Sequence, residues 1–237
     1  MFDRVTIRVS DRSASELFYD TVLDVLGVER TDEGPPRTAW RQFAVAPAGE
    51  LHPVTRRLHV GFHAPSRVKV DEFWQTGVDA GYRDDGEPGP RPQYSADYYG
   101  AFLLDPDGNS AEAVHNRTDR RGVIDHLWLR VAELGASRAF YATLAPYTRF
   151  EPRHRDGDRV HIAGPDGSFT VVLGPPSEHI HMAFPASDNA AVDAFHDAAT
   201  RAGYRDAGGP GFDALDDGRY AACVLDPDGN TIALVSA

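Results

Sequence analysis

Two histidines and one glutamate in this chain have side chains that could bind a single divalent metal ion. They are His59, Glu112 and His126. Imidazole nitrogens and carboxylate oxygens are common ligands of iron, manganese, zinc and nickel. Such a set leaves coordination positions for two oxygen atoms of a substrate, which the metal would polarise as a Lewis acid. We therefore expect one divalent metal (Fe, Mn, Zn or Ni), and the residue types do not choose between these ions.

The 237-residue chain contains two related copies of one sequence. RVSDRSASELFY, from Arg8, matches RVAELGASRAFY, from Arg130, and LLDPDGNSAEAV matches VLDPDGNTIALV. We predict two domains, residues 1–118 and 122–237, each long enough to bury a core. Corresponding positions of the two copies hold Arg4, His59 and Glu112 in the first and His126, His181 and Ala233 in the second. Neither copy alone therefore supplies two histidines and a carboxylate.

Each copy shows the same series of predicted elements. VTIRV alternates as a strand, and Ser10 or Asp11 could cap the helix that follows. The apolar residues expected on the buried face of that helix are Leu17, Phe18, Val22 and Leu26. Later strands flank a DPDGN turn, in which proline and glycine suit the turn geometry. Because strand, helix and strands recur twice per copy, we predict an α+β fold of four βαβββ-type modules.

Composition narrows the possible partners. The formal net charge of -12 argues against nucleic acid, whose phosphates need a basic surface. No apolar run is long enough for a membrane span, and the charged N-terminus is unlike a secretory signal. Cys223, the only cysteine, indicates a reducing compartment. We expect a cytoplasmic protein, a monomer or homodimer, that binds a small molecule and neither nucleic acid nor membrane.

The strand and helix units that begin with a histidine, and the DPDGN block with Glu112 three residues after its asparagine, resemble the vicinal oxygen chelate superfamily. This superfamily includes glyoxalase I, extradiol dioxygenases and bleomycin-resistance proteins, and the resemblance covers almost the whole chain. It implies that two βαβββ modules face each other as a half-barrel cup with a metal on its floor. The metal ligands would lie on the first strand of one module and on the first and last strands of its partner.

The pairing of the modules decides whether a complete ligand set forms. If the two modules of each copy paired, as in extradiol dioxygenases, both cups would lack a ligand. If module two paired with three and module one with four, one cup would hold His59, Glu112 and His126. The other cup would hold Arg4 and His181 with an alanine. We predict the second pairing, which gives one complete and one inactive cup.

Strand alternation suggests which other side chains line the complete cup. His63 could carry a proton near neutral pH, and Arg130 could pair with a substrate carboxylate or stabilise a module interface. We therefore predict catalytic roles for these two residues. Trp128, His161 and Asn116 are the predicted ligand-binding residues. Phe102 stands where extradiol dioxygenases have a tyrosine, which puts their acid–base chemistry in doubt here.

Three functions of different classes fit these features. The first is a metalloenzyme of the glyoxalase or dioxygenase type, acting on a small oxygen-rich molecule. The alternative is a metal-free protein that binds an antibiotic or natural product, as bleomycin-resistance proteins do, with a site lined by Trp40, Trp74 and Trp128. The third is a regulatory or scaffold module. Metal content separates the first function from the others.

Overall fold

A computed structural model describes residues 2–34, 36–116, 122–164, 167–213 and 218–236. These residues form an α+β fold with two β-sheets and four helices, as predicted. The helices are α1 (Arg12–Val25), α2 (Arg67–Asp79), α3 (Leu134–Thr148) and α4 (Asn189–Arg201). No helix in these ranges is long and apolar enough to cross a membrane.

The chain divides into two compact units. The first unit is Ile7–Leu127, and the second unit is Met1–Thr6 with Trp128–Ala237. Each unit therefore takes most of one sequence copy and the beginning of the first strand of the other. The predicted domains, 1–118 and 122–237, describe the sequence copies and remain a prediction; residue 118 lies outside the described residues.

Strands β5 and β8 and the first part of β9 carry the candidate ligands of the first unit. The hydrogen-bonded strand order around them is β9-β5-β8-β7-β6, and residues 124–127 of β9 belong to the first unit. A second group of strands in this unit has the order β1-β4-β3-β2. The strands are β1 (Arg4–Val9), β2 (Asp32–Gly34), β3 (Arg37–Trp40), β4 (Phe43–Pro47), β5 (His59–His63), β6 (Arg83–Pro90), β7 (Tyr99–Leu104), β8 (Ser110–His115) and β9 (Ile124–Val131).

The second unit repeats this arrangement with the second sequence copy. Its strand orders are β14-β15-β16-β13-β1 and β10-β11-β12-β9. The remaining strands are β10 (Glu151–Asp156), β11 (Arg159–Gly164), β12 (Gly167–Leu173), β13 (Ile180–Ala186), β14 (Asp206–Asp213), β15 (Arg219–Leu225) and β16 (Thr231–Ser236). In the first unit β9, the first strand of module three, lies beside β5 of module two, and in the second unit β1 lies beside β13. These neighbours agree with the predicted module pairing.

Helix α1 shows how the sequence sets a local element. Its N-cap is Asp11, one of the two predicted caps, whose carboxylate accepts a hydrogen bond from the backbone N–H of Ala14. The buried face includes Phe18 and Tyr19. Leu17, expected on that face, is 63% exposed, so this part of the prediction was wrong. The buried positions are spaced three and four residues apart, as expected for one face of a helix. On this face Tyr19 is buried, and Leu17 is not part of it.

Each DPDGN turn is held by its first aspartate. The Asp105 carboxylate accepts hydrogen bonds from the backbone N–H groups of Asp107 and Asn109, the Asn109 amide and the Tyr19 hydroxyl. Asn109 also accepts a hydrogen bond from the backbone N–H of Leu58, one residue before β5. The turn therefore fixes β8 and the start of β5 together. In the second unit Asp226 makes the corresponding contacts.

Candidate metal centre

Three neighbouring strands of the first unit bring the predicted metal ligands together. His59 begins β5, Glu112 lies in the middle of β8, and His126 lies in the first part of β9. Strands β5 and β8 are parallel, with Gly61 opposite Glu112. One ligand atom from each of the three residues lies within 4.8 Å of the other two. The predicted set is therefore one cluster in the structure.

The glutamate lies between the two imidazoles. Glu112 Oε2 is 2.9 Å from His59 Nε2 and 3.3 Å from His126 Nε2. The two rings stack with their centroids 5.4 Å apart. Glu112 and His126 are buried, and His59 is half-buried. Two nitrogen atoms and one oxygen atom thus converge on one point, and this donor set fits a borderline divalent metal.

Each histidine has a hydrogen-bond partner on the nitrogen that faces away from the cluster. His126 Nδ1 is 2.9 Å from Asp125 Oδ1. His59 Nδ1 is 3.2 Å from Ser110 Oγ, which donates its own proton to Asp85 Oδ2 at 2.7 Å. These partners favour a proton on Nδ1, which leaves Nε2 of each ring for a metal. Histidine ligands of metal sites commonly have such partners.

Tyr98 holds the other side of the glutamate. Its hydroxyl donates a hydrogen bond to Glu112 Oε1 at 2.8 Å. Burial and the nearby Glu112 charge raise the pKa of Tyr98 well above its usual value, so the phenol keeps this proton. The tyrosine ring lies 6.4 Å from the His126 ring.

Two glycines make room for the cluster. A β-carbon added at Gly61 would lie 2.4 Å from Cε1 of His126. One added at Gly100, on β7, would lie 2.4 Å from Oε1 of Glu112. Both distances are shorter than the closest contact that a β-carbon makes with a non-bonded heavy atom. The His126 ring and the Glu112 carboxylate can therefore take these positions only because both neighbours lack a side chain.

The electrostatics of the cluster favour a charged carboxylate beside a protonated imidazole. Burial alone would raise the pKa of Glu112, but hydrogen bonds and charges from His126 and His59 lower it to about 2. Burial would lower the pKa of His126, but hydrogen bonds to Asp125 and Glu112 raise it to about 9. Metal binding would therefore have to displace a proton from His126.

The other predicted site residues fall into two groups. In the first unit, His63 ends β5, and no described residue hydrogen-bonds its buried Nδ1 atom. Asn116 donates hydrogen bonds to both carboxylate oxygens of Asp125, at 3.3 and 3.2 Å, so it supports the partner of His126.

Three predicted residues belong to the second unit. Trp128 is half-buried with the Arg159 guanidinium 5.7 Å from its ring centroid, and Arg130 is exposed. His161 is exposed, and its Nδ1 atom lies 3.4 Å from Thr170 Oγ1. Their roles at the cluster remain predictions.

The tryptophans proposed for a metal-free site have different surroundings. Trp40 is fully buried in the core of the first unit and donates its indole hydrogen to Asp20. Trp74 lies on α2 and donates to Asp84. Within the described part of the chain these two indoles serve the packing of separate elements. Their role in a metal-free binding site remains a prediction.

The corresponding positions in the second unit hold no such cluster. Ala233 takes the place of Glu112 and packs in an apolar cluster that includes Cys223 and Ala183. His181 lies on β13 in the place of His59, and Arg4 takes the place of His126. The inactivity of this copy remains a prediction.

Comparison with known proteins identifies the family. The family model described as Glyoxalase/Bleomycin resistance protein/Dioxygenase superfamily matches residues 1–113 and 123–234. The chain belongs to this superfamily. The two matched ranges follow the two sequence copies, so the glyoxalase superfamily pattern occurs twice. No curated protein matches the chain in sequence.

Solved structures of the superfamily share the fold over the full length of the chain. Glyoxalase I from Zea mays matches with a TM-score of 0.71 at 18% identity, covering 99% of this chain and 92% of that one. A glutamate-to-glutamine mutant of the same enzyme gives a TM-score of 0.72 at 19% identity, covering 99% and 93%. A putative dioxygenase from Bacillus subtilis gives 0.66 at 13% identity, covering 99% and 84%. At these identities the likeness establishes the fold.

Several residues around the cluster were missed in the sequence. Asp125 and Ser110 could have been found, because one precedes His126 and the other lies two residues before Glu112 and so shares its strand face. Asp85 and Tyr98 had no such signal. They lie in and after β6, where register irregularities at glycines break the alternation that assigns a face.

Proposed function

We propose that this protein is a metal-dependent enzyme that binds one divalent ion through His59, Glu112 and His126. Its substrate is a small oxygen-rich molecule that chelates the ion through two oxygen atoms. The observation that carries the proposal is the convergence of three ligand atoms within 4.8 Å, each ligand residue having a second partner that orients it. A packing role alone would not require two imidazoles and a buried carboxylate at one point.

The side chains around the ion have different proposed roles. The bound metal would act as a Lewis acid on the chelated oxygens. Asp125 and Ser110 orient the two imidazoles, and burial of Glu112 keeps competing water away from the carboxylate. His63, at the far end of β5, would move a proton, and Arg130 would pair with a substrate carboxylate. Trp128, His161 and Asn116 complete the proposed ligand-binding residues.

The first test is the metal content of the purified protein after reconstitution with Fe(II), Mn(II), Zn(II) or Ni(II). We expect about one ion per chain, because the first unit holds one complete ligand set. His126→Ala should lose that ion. His181→Ala is the matched control, because this histidine occupies the place of His59 in the second unit, and it should retain the ion.

Either of two results would overturn the proposal. One is an absence of metal from every preparation, which would leave metal-free binding of a small molecule as the function. The other is loss of metal from the His181→Ala variant and not from the His126→Ala variant. The proposal also includes a cytoplasmic location and a monomer or homodimer, supported by the negative charge and the single cysteine.

A further inference from the structure

The two oxygen atoms of Glu112 have different partners. Oε2 faces the Nε2 atoms of His59 and His126, at 2.9 and 3.3 Å. Oε1 accepts the hydrogen bond from the Tyr98 hydroxyl. A carboxylate can bind a divalent ion through one oxygen or through both. The partner of Oε1 therefore affects how many coordination positions of the ion the glutamate occupies.

Tyr98 is held firmly enough to act on the carboxylate. Its backbone oxygen accepts a hydrogen bond from the N–H of Arg91, and its own N–H donates to Ser95, so residues 91–98 close into a compact turn. The Tyr94 ring packs 5.0 Å from the Tyr98 ring. Gly100 leaves space for Oε1 and for the tyrosine ring, because a β-carbon there would approach both.

We propose that Tyr98 is a positioning residue that restricts Glu112 to a single ligand oxygen and so keeps one more coordination position open for substrate. The inference rests on the proposed function. The phenol is a donor to a carboxylate that can only accept, so the contact holds Oε1 away from the point where the ligand atoms meet. Without it, the carboxylate can rotate and bring both oxygens to the ion. A substrate that needs two coordination positions would then compete with Oε1 of Glu112 for one of them.

The second sequence copy supports this assignment. Arg219 stands in the place of Tyr98, Ala221 in the place of Gly100 and Ala233 in the place of Glu112. Arg219 forms a bidentate ion pair with Asp3, at 2.9 and 2.6 Å. Tyrosine, glycine and glutamate are thus present together in one copy and absent together from the other, as expected if they serve one purpose.

The test compares Tyr98→Phe with Tyr99→Phe in the full chain loaded with Mn(II). Tyr99 is a matched control, because its hydroxyl also donates to a carboxylate, Asp71 Oδ1 at 2.8 Å, but on helix α2. Water-proton relaxation reports the number of water molecules on the ion, and titration with acetohydroxamate, a bidentate oxygen ligand, reports the open positions. Metal affinity and thermal stability are measured alongside.

For Tyr98→Phe we expect about one fewer metal-bound water and a dissociation constant for acetohydroxamate raised about tenfold. That factor corresponds to one hydrogen bond to a charged group. Metal affinity should be unchanged or tighter, because the freed oxygen adds a ligand. Tyr99→Phe should match the parent protein in water number, acetohydroxamate affinity and metal affinity.

The outcomes separate this inference from the proposed function. If the parent protein binds no Mn(II), the proposed function fails. If it binds Mn(II) but Tyr98→Phe matches Tyr99→Phe in water number and acetohydroxamate affinity, only the inference on Tyr98 fails. A Tyr98→Phe variant that loses metal affinity and acetohydroxamate affinity together would show that the tyrosine only supports the local structure, and would also overturn the inference.

Discussion

At the scale of single residues, the candidate centre depends as much on missing side chains as on ligands. Gly61 faces the same side of β5 as His59 and lies directly against the His126 ring. The residue type of a hydrogen-bond partner or a ligand indicates its role. The role of a glycine is found only from the atoms that an added β-carbon would contact. The correct position of His126 therefore depends on a residue with no chemistry of its own.

The Gly61→Ala variant should bind metal at least about tenfold more weakly than the parent, as when the support of a metal ligand is disturbed. The added carbon would lie 2.4 Å from the imidazole, so the ring must move. We also expect a loss of about 1–3 kcal/mol in the free energy of unfolding, the usual effect of overpacking. Metal titration and denaturant unfolding measure the two effects.

Gly34→Ala is the control, since an added β-carbon there meets no atom of the described residues within 4 Å. It should bind metal as the parent does. Equal metal affinity in both variants would show that the His126 ring adapts to the added carbon and that Gly61 is not required.

The sequence predicted the three residues of the cluster but only part of their surroundings. Residue type and the repeat were enough for His59, Glu112 and His126, because few residue types bind metals and corresponding positions could be compared. Tyr98 could not be found, because its place depends on a turn between β6 and β7 that follows no periodic pattern. Side chains on regular strands could be assigned to a face, and those at irregular turns could not.

At the scale of elements, the DPDGN turns connect the core to the centre. The turn of the first unit joins β7 to β8, which carries Glu112, and through Asn109 it also anchors the start of β5. The turn was predictable from proline and glycine. The contacts of its first aspartate were not, because they involve Tyr19 on a distant helix.

Asp105→Asn should destabilise the protein by about 1–3 kcal/mol. The new amide NH₂ group is itself a donor, and it would face the N–H and O–H groups that now donate hydrogen bonds to the carboxylate. The free energy of unfolding from urea denaturation measures this loss. Asp24→Asn, at an exposed position of α1, removes the same charge and should change stability by less than about 0.5 kcal/mol. Equal effects of the two substitutions would mean that charge, and not the hydrogen bonds of the turn, determines the result.

At the scale of the whole molecule, the two units carry the same fold and differ in what their strands present. The repeat and the strand patterns were sufficient to predict the α+β fold and its modules. The limits of the compact units were not predictable in the same way. They fall inside β1 and β9, at positions that the sequence repeat alone does not indicate.

Metal binding should slow amide hydrogen exchange in β5 and β8 more than in the corresponding strands β13 and β16. A bound ion stabilises the structure that holds its ligands, so local opening there becomes rarer. Exchange measured by mass spectrometry with and without Mn(II) tests this. His126→Ala should abolish the difference, and equal slowing in both pairs of strands would contradict a centre confined to the first unit.

The alanine at position 183 has a consequence for protein design. It corresponds to Gly61, so a histidine introduced at position 4 would meet a methyl group where its ring must rest. Replacing Arg4 and Ala233 with the missing histidine and glutamate would therefore not be enough to build the same cluster in the second unit. A metal site in the second unit would require Ala183→Gly as well, and also Ala221→Gly, because Ala221 stands in the place of Gly100 beside the carboxylate.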